Sequence, residues 1–203
     1  MNLADASTIA QELVKQIAPA CDRCEIAGGV RRGKQDPHDI EIVVLPVNKA
    51  PRAEFGQKMP VHKNMLERRL WEMEQERLLT KVSGADKLKK FDIDPEKFGV
   101  SVVTKVRFEL YIVTPPAEWG PLFTIRTGPS EFSHWLVTPR KLGGRMPDGY
   151  IQHKGAVWPG QWAEDVAEPT GDKLAMPEEI DFLRFLGLDW IEPKDRKAQW
   201  GQS

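Results

Sequence analysis

The sequence predicts an α+β protein, because helical and strand periodicities both occur and are interleaved along the chain. Three stretches carry the prediction. Leu3, Ile9, Leu13, Val14 and Ile17 recur at roughly helical spacing, and Ile40, Ile42, Val43, Val44 and Leu45 form a largely β-branched run ended by Pro46. Along residues 106–113, Arg107 and Glu109 alternate with Val106, Phe108 and Leu110. A chain of 203 residues, 40% apolar and 29% charged, can build one large domain or two small ones.

The first helix spans residues 3–17, with Ser7 and Thr8 able to cap a shorter version, and Pro19 ends it. Cys21 and Cys24 follow as a Cys-x-x-Cys with no second pair, which reads as two reduced thiols at the end of the helix. Residues 25–27 lead into Gly28-Gly29 and a turn rich in Arg, Gly and Lys that runs to Pro37. The strand at 40–45 has a run of apolar residues that suits burial on both faces over part of its length.

Residues 48–62, with Pro51, Gly56 and Pro60, read as loop, and 63–81 as a charged helix packing through Met65, Leu66, Leu70, Met73, Leu78 and Leu79. Two further runs, 98–103 and 106–113, suggest adjacent strands closed off by Pro115-Pro116. Beyond Pro116 the chain is rich in Gly, Pro and Trp. Residues 159–177 read as loop and 178–186 as a short helix. This change of texture places a domain boundary near 115–120 and divides the chain into residues 1–117 and 118–203.

No window approaches roughly eighteen uninterrupted apolar residues, and the first twenty residues read as amphipathic helix with no cleavage-site pattern. A cytoplasmic protein with no membrane partner is expected. The 29 basic and 30 acidic residues leave a formal net charge of -1, so any nucleic-acid contact has to come from local clusters. The four histidines are scattered and form no metal-type pair.

The chemistry concentrates in Gly28-Gly29-Val30-Arg31-Arg32-Gly33 and Asp39-Ile40-Glu41. Strand alternation puts Asp39 and Glu41 on one face, where two carboxylates repel each other and a shared cation relieves the repulsion. The glycines let backbone N–H groups approach phosphate oxygens, and Arg32 offers a planar charged fork. Glu109 and Arg107 share one face of the later strand. If that strand neighbours the first, three carboxylates converge in a way that suits a pair of divalent cations acting on phosphoryl transfer. Read by strand pattern alone, the same residues describe an exposed sheet face with an Arg107–Glu109 diagonal pair.

The order Gly-Gly-x-Arg-Arg-Gly, Asp-x-Glu, Arg-x-Glu resembles the Gly-Ser-x-x-Arg-Gly, Asp-x-Asp, Arg-x-Asp series of the DNA polymerase beta-like family X polymerases. Arg126-Thr127-Gly128-Pro129 with Phe132 is similar to that family's Phe-Thr-Gly-Ser turn. Residues 178–188 and 190–196 are similar to the way these polymerases end. The resemblance implies a nucleotidyltransferase palm with a mixed sheet and flanking helices over 1–117, and a small α/β thumb over 118–203. It implies Asp39, Glu41 and Glu109 as ligands of two Mg2+ or Mn2+ ions, with Glu109 nearest the attacking 3′-hydroxyl. Gly28, Gly29 and Arg32 would hold the phosphates of a nucleoside triphosphate, and Arg107 would position the third carboxylate. Thr127, Gly128 and Ser133 would line the sugar and base, and the Ile125-Arg126 pair would lie against the sugar.

The resemblance further implies a monomeric enzyme that fills gaps in DNA or extends a primer-template. With about two dozen residues before the turn, helix-hairpin-helix and lyase domains are not expected. Two of three aspartates are replaced by glutamate, and misplacement of a reacting group by about 1 Å can cost on the order of a hundredfold. Gly29 stands where the family has Ser, and Ile125-Arg126 stands where it has two aromatic rings. These departures keep open a template-independent or ribonucleotide-accepting transferase, and a catalytically silent nucleotide or nucleic-acid binder. Trp135, directly after the turn, is the tryptophan with the best claim to a functional place.

Overall fold

The computed structural model describes residues 1–48, 63–101, 105–164 and 166–200. The chain divides into two compact units, residues 1–26 with 34–112 and residues 27–33 with 113–203. The glycine turn therefore groups with the C-terminal residues, although strands of the first unit flank it in sequence.

In the first unit, helix α1 (Leu3–Ile17) begins at Asn2, whose side chain accepts a 2.9 Å hydrogen bond from the Asp5 amide. It buries Ala6, Ile9, Ala10, Leu13 and Ile17. A 3₁₀ turn at Ala18–Ala20 redirects the chain into strand β1 (Cys21–Ile26), so the two thiols lie on a strand and not at a helix end. The Cys21 thiol beside Cys24, with burial next, holds the Cys24 thiol well above its ordinary range. After the one-turn helix α2 (Gly28–Arg31), which belongs to the other unit, comes strand β2 (Asp39–Pro46).

Helix α3 (Met65–Gln75) is capped by Asn64, whose side chain accepts from the Glu67 amide at 2.9 Å. It is shorter than the sequence suggests. Arg77 takes a left-handed φ of 59°, and the chain turns into the hairpin of β3 (Leu79–Ala85) and β4 (Leu88–Ile93). Strand β3 is exposed beyond Leu79, so it lacks the apolar alternation that marks a strand in sequence.

Pro95–Phe98 forms a 3₁₀ turn closed by left-handed Gly99, so Phe98 ends a turn where the sequence suggested the start of a strand; residues 102 and 103 of that run lie outside the described residues. Most of the loop expected at 48–62 also lies outside them. The partner of β5 (Val106–Ile112) is therefore β4 on one side and β2 on the other.

These strands form a mixed five-stranded sheet in the order β1-β2-β5-β4-β3, with β2 and β5 parallel and the other pairs antiparallel. Ile40, Phe108 and Phe91 form one cross-strand row, buried and with the two rings stacked at 5.7 Å. Neighbouring Ile42 and Leu110 are fully buried with it.

The second unit contains α4 (Trp119–Thr127), α5 (Ser130–Val137), strands β6 (Tyr150–His153), β7 (Ala156–Ala163) and β8 (Val166–Pro169), and α6 (Glu179–Phe185). Two of these helices and most of the three-stranded sheet fall where the sequence pattern was read as irregular. Helix α4 is buried on several sides, through Trp119, Pro121, Phe123, Thr124 and Thr127, so it shows no amphipathic stripe. Its Pro121 sits in the first turn, where the missing N–H has no intrahelical partner to lose. Strand β7 contains Pro159 and Gly160, which disguise it as loop.

The core of this unit gathers Phe132, Trp135, Leu136, Met146, Val157, Met176, Phe182, Leu183 and Leu186. Trp135 is a core residue with the Arg145 guanidinium 4.9 Å above its ring, which removes its claim to a functional place.

Gly120 marks a close approach. Its amide donates to the Met176 carbonyl at 2.9 Å, and a Cβ there would stand 2.3 Å from the Glu178 carbonyl oxygen and 2.6 Å from that of Met176. Gly120→Ala is expected to cost at least about 1–3 kcal/mol, the usual range for overpacking, as measured by urea denaturation. A wild-type midpoint would show that residues 176–178 can shift without loss.

Candidate active site

The registers of β2, β5 and β4 turn the predicted residues into two rows across one face of the sheet. Asp39 lies beside Arg107, which lies beside Asp92; Glu41 lies beside Glu109, which lies beside Lys90. The next row in the same sense is Val43, Tyr111 and Leu88. The opposite face carries Ile40, Ile42, Phe108 and Leu110. Packing on the apolar side therefore fixes where the acids point, since a shift of one residue would bury the acids and expose the core.

This face carries four carboxylates, Asp39, Glu41, Asp92 and Glu109, and two cations, Lys90 and Arg107, in its central rows. Arg107 Nε lies 2.9 Å from Asp92 Oδ1, so Arg107 pairs across to β4 and not with Glu109 along its own strand. Glu109 is held from two sides. Lys90 Nζ donates to its Oε1 at 2.5 Å, and the Tyr111 hydroxyl donates to its Oε2. Neither Lys90 nor Tyr111 was singled out from sequence. Tyr111 follows the strand period from Glu109, but Lys90 lies on the hairpin that the sequence reading missed.

Asp39 feels the crowding of this site. Burial first, and the Glu109 carboxylate second, hold its carboxyl above the ordinary aspartate range, against smaller opposing pulls from His38, a backbone hydrogen bond and Lys34. An all-oxygen donor set strained by like charge is the chemistry that Mg2+ or Mn2+ accepts, and the Lys90 ammonium already stands beside Glu109 as a positive charge. Among the described residues, however, no group of three His, Cys, Asp or Glu is placed to hold an ion in the present arrangement. The donor types fit a divalent cation, while Glu109 is engaged elsewhere.

The other predicted residues fall in the second unit, where Arg31 emerges as a central one. Its Nη1 donates to Thr127 Oγ1 at 2.8 Å, its Nη2 meets Glu179 Oε2 at 2.6 Å, and its guanidinium lies 4.0 Å above the Phe123 ring. Arg32 Nη1 donates to the Thr127 carbonyl at 2.7 Å. Glu179 also receives Arg196 Nη1 at 2.8 Å, and both Glu179 and Arg196 are buried. Three sequence motifs, the glycine turn, the Thr-Gly turn and the C-terminal Lys-Asp-Arg run, are thus joined by one chain of charge-assisted hydrogen bonds.

Gly28 and Gly29 lie in α2, Gly28 with φ of 62°. Thr127 and Gly128 close α4, and a Cβ on Gly128 would stand 2.5 Å from the Phe132 ring, so this glycine admits α5 at close range. Ser133 Oγ donates to the Ile125 carbonyl at 2.6 Å, and Arg126 occupies the last turn of α4. A groove of about 730 Å3 beside Leu142, Tyr150 and Trp162 contains none of the predicted residues.

No family model matches the chain, and comparison with curated proteins finds no match. Among the described residues no helix is long and apolar enough to cross a membrane.

Proposed function

We propose that the chain is a divalent-cation-dependent nucleotidyltransferase of the family X type, with a palm over 1–117 and a thumb over 118–203, that adds nucleotides to a DNA 3′-hydroxyl. One observation supports it above the rest: Asp39, Glu41 and Glu109 share one face of two adjacent parallel strands, with Glu41 and Glu109 as direct register partners. An exposed sheet face has no evident need for that arrangement, since like charges directly opposite destabilise a sheet.

In this reading Asp39, Glu41 and Glu109 bind Mg2+ or Mn2+, and the chemistry a divalent cation supplies there is activation of a hydroxyl and neutralisation of phosphate charge. Burial of Ile40 and Ile42 keeps the β2 backbone fixed beneath Asp39 and Glu41. Gly28 and Gly29 would take triphosphate oxygens through backbone N–H groups, with Arg32 as the charged contact. Arg31 keeps the turn in place through Thr127 and Glu179. Arg126, Thr127, Gly128 and Ser133 would lie at the sugar and base.

Extension of a labelled primer on gapped and on single-stranded DNA, with deoxy- and ribonucleotides and with Mg2+ or Mn2+, tests the proposal. The expected result is cation-dependent product on gapped DNA, with weaker rejection of ribonucleotides than in relatives that carry an aromatic pair at Ile125-Arg126, because a guanidinium can hydrogen-bond a 2′-hydroxyl. Product on single-stranded DNA alone would mark a template-independent transferase. No product with either ion, together with retained nucleotide binding, would mark a silent binder.

A further inference from the structure

Both oxygens of Glu109 are engaged by neighbours on the sheet. Lys90 reaches across from β4 to Oε1 at 2.5 Å, and Tyr111, two residues along β5, donates to Oε2. Glu109 is only 14% exposed in its side chain, against 33% for Lys90, so this ion pair is partly shielded from water. Burial of a charge without a partner is costly, and this pairing offsets that cost for Glu109.

We propose that Lys90 is a built-in counter-cation of the acid cluster, occupying Glu109 in the resting protein and yielding it when a divalent cation binds. The inference rests on the cation-binding role proposed for Asp39, Glu41 and Glu109. Arg107, the other cation in these rows, lies with Asp92, and Lys90 is the cation that stands beside Glu109 in its own row. A divalent cation that takes Glu109 must break a charge-assisted hydrogen bond and then share the face with the ammonium it displaced. Both effects weaken its binding. Lys90 is therefore a positioning residue that sets the cation concentration at which the site fills, and Tyr111 limits how far Glu109 can swing.

Mn2+ binding to the full chain, followed by electron paramagnetic resonance without nucleotide, tests this directly. Lys90→Met is expected to tighten Mn2+ binding about tenfold, the scale of one lost charge-assisted hydrogen bond. Lys90→Arg, which keeps a cation there, should stay near wild type. Asp39→Asn should abolish the specific binding in either background. If Lys90→Met binds Mn2+ no more tightly while Asp39→Asn still removes binding, the acid site stands and the role of Lys90 is overturned. If Asp39→Asn changes nothing in either background, the cation reading itself fails.

A second measurement needs no variant and survives a failure of Lys90→Met to fold. The 15N resonance of the Lys90 ammonium in the wild-type chain should move on titration with Mg2+ and reach a plateau with it. A resonance unmoved at Mg2+ saturation overturns the displacement.

Discussion

Asp39→Asn is expected to lower the proposed nucleotide transfer by on the order of a hundredfold or more and, in the same protein, to raise the thermal midpoint at neutral pH. The first effect follows from loss of an anionic group from the proposed cation site without loss of shape. The second follows from the raised proton affinity of Asp39, caused by burial and then by Glu109.

A carboxyl whose folded-state pKa lies above its unfolded value binds more protons when folded. Its contribution to stability is therefore present below the ordinary aspartate value, near 4, and declines as pH rises through the folded value. The asparagine variant avoids that decline, so its advantage should appear at pH 7 and vanish as pH falls below about 4. Thermal melts of both proteins at the two pH values check the sign. A variant less stable than wild type at pH 7 would show that Asp39 is held by favourable contacts and not crowded by Glu109.

Glu179→Ala carries the largest expected loss of stability, about 3–5 kcal/mol, because it leaves Arg31 and Arg196 without their shared carboxylate. Arg196 is almost completely buried. Burial pulls its guanidinium down and Glu179 opposes that pull, and an arginine stays charged across the working pH range. Removing Glu179 therefore strands a buried positive charge.

Burial alone would raise the Glu179 carboxyl. The hydrogen bond from Arg31 and the charge of Arg196 outweigh it, and the net direction is down. A depressed carboxylate contributes stability above its unfolded pKa and loses it as pH falls through the folded one. Urea denaturation should thus show the gap between wild type and Glu179→Ala widest at pH 7 and narrowing below about pH 4. A gap independent of pH would assign the loss to packing and not to charge.

The sequence made the acid strands legible because packing writes them twice. Ile40 and Ile42 mark the buried face of β2, and Phe108 and Leu110 mark that of β5, so the alternation that exposes Asp39, Glu41 and Glu109 is visible in both. Adjacency of the two strands was a condition that the pattern could state and not meet. Lys90 was illegible because β3 beside it is exposed and its first residues, 79–81, read as the tail of a charged helix. The arginine cluster was illegible for another reason. Arg31, Thr127, Glu179 and Arg196 each sit in a motif that could be noticed, but no periodicity links residues so far apart along the chain. Helix α4 escaped because a segment buried on several sides has no polar stripe to betray its period, and α5 because eight residues are too few to display one, although its buried Phe132, Trp135 and Leu136 share one face.

The bond from Arg31 to Glu179 spans 148 positions of the chain. On a ribosome the glycine turn emerges long before its carboxylate partner, 148 positions further along. The C-terminal unit then cannot complete itself from consecutive residues: it has to wait for a long loop to close. Closure entropy grows only slowly with loop length, but it is spent before the contacts that reward it exist, which slows the search. The five-stranded sheet draws on a nearer stretch of chain, 21–112. Folding during synthesis should accordingly be ordered, with the acid-bearing sheet formed before the arginine cluster closes.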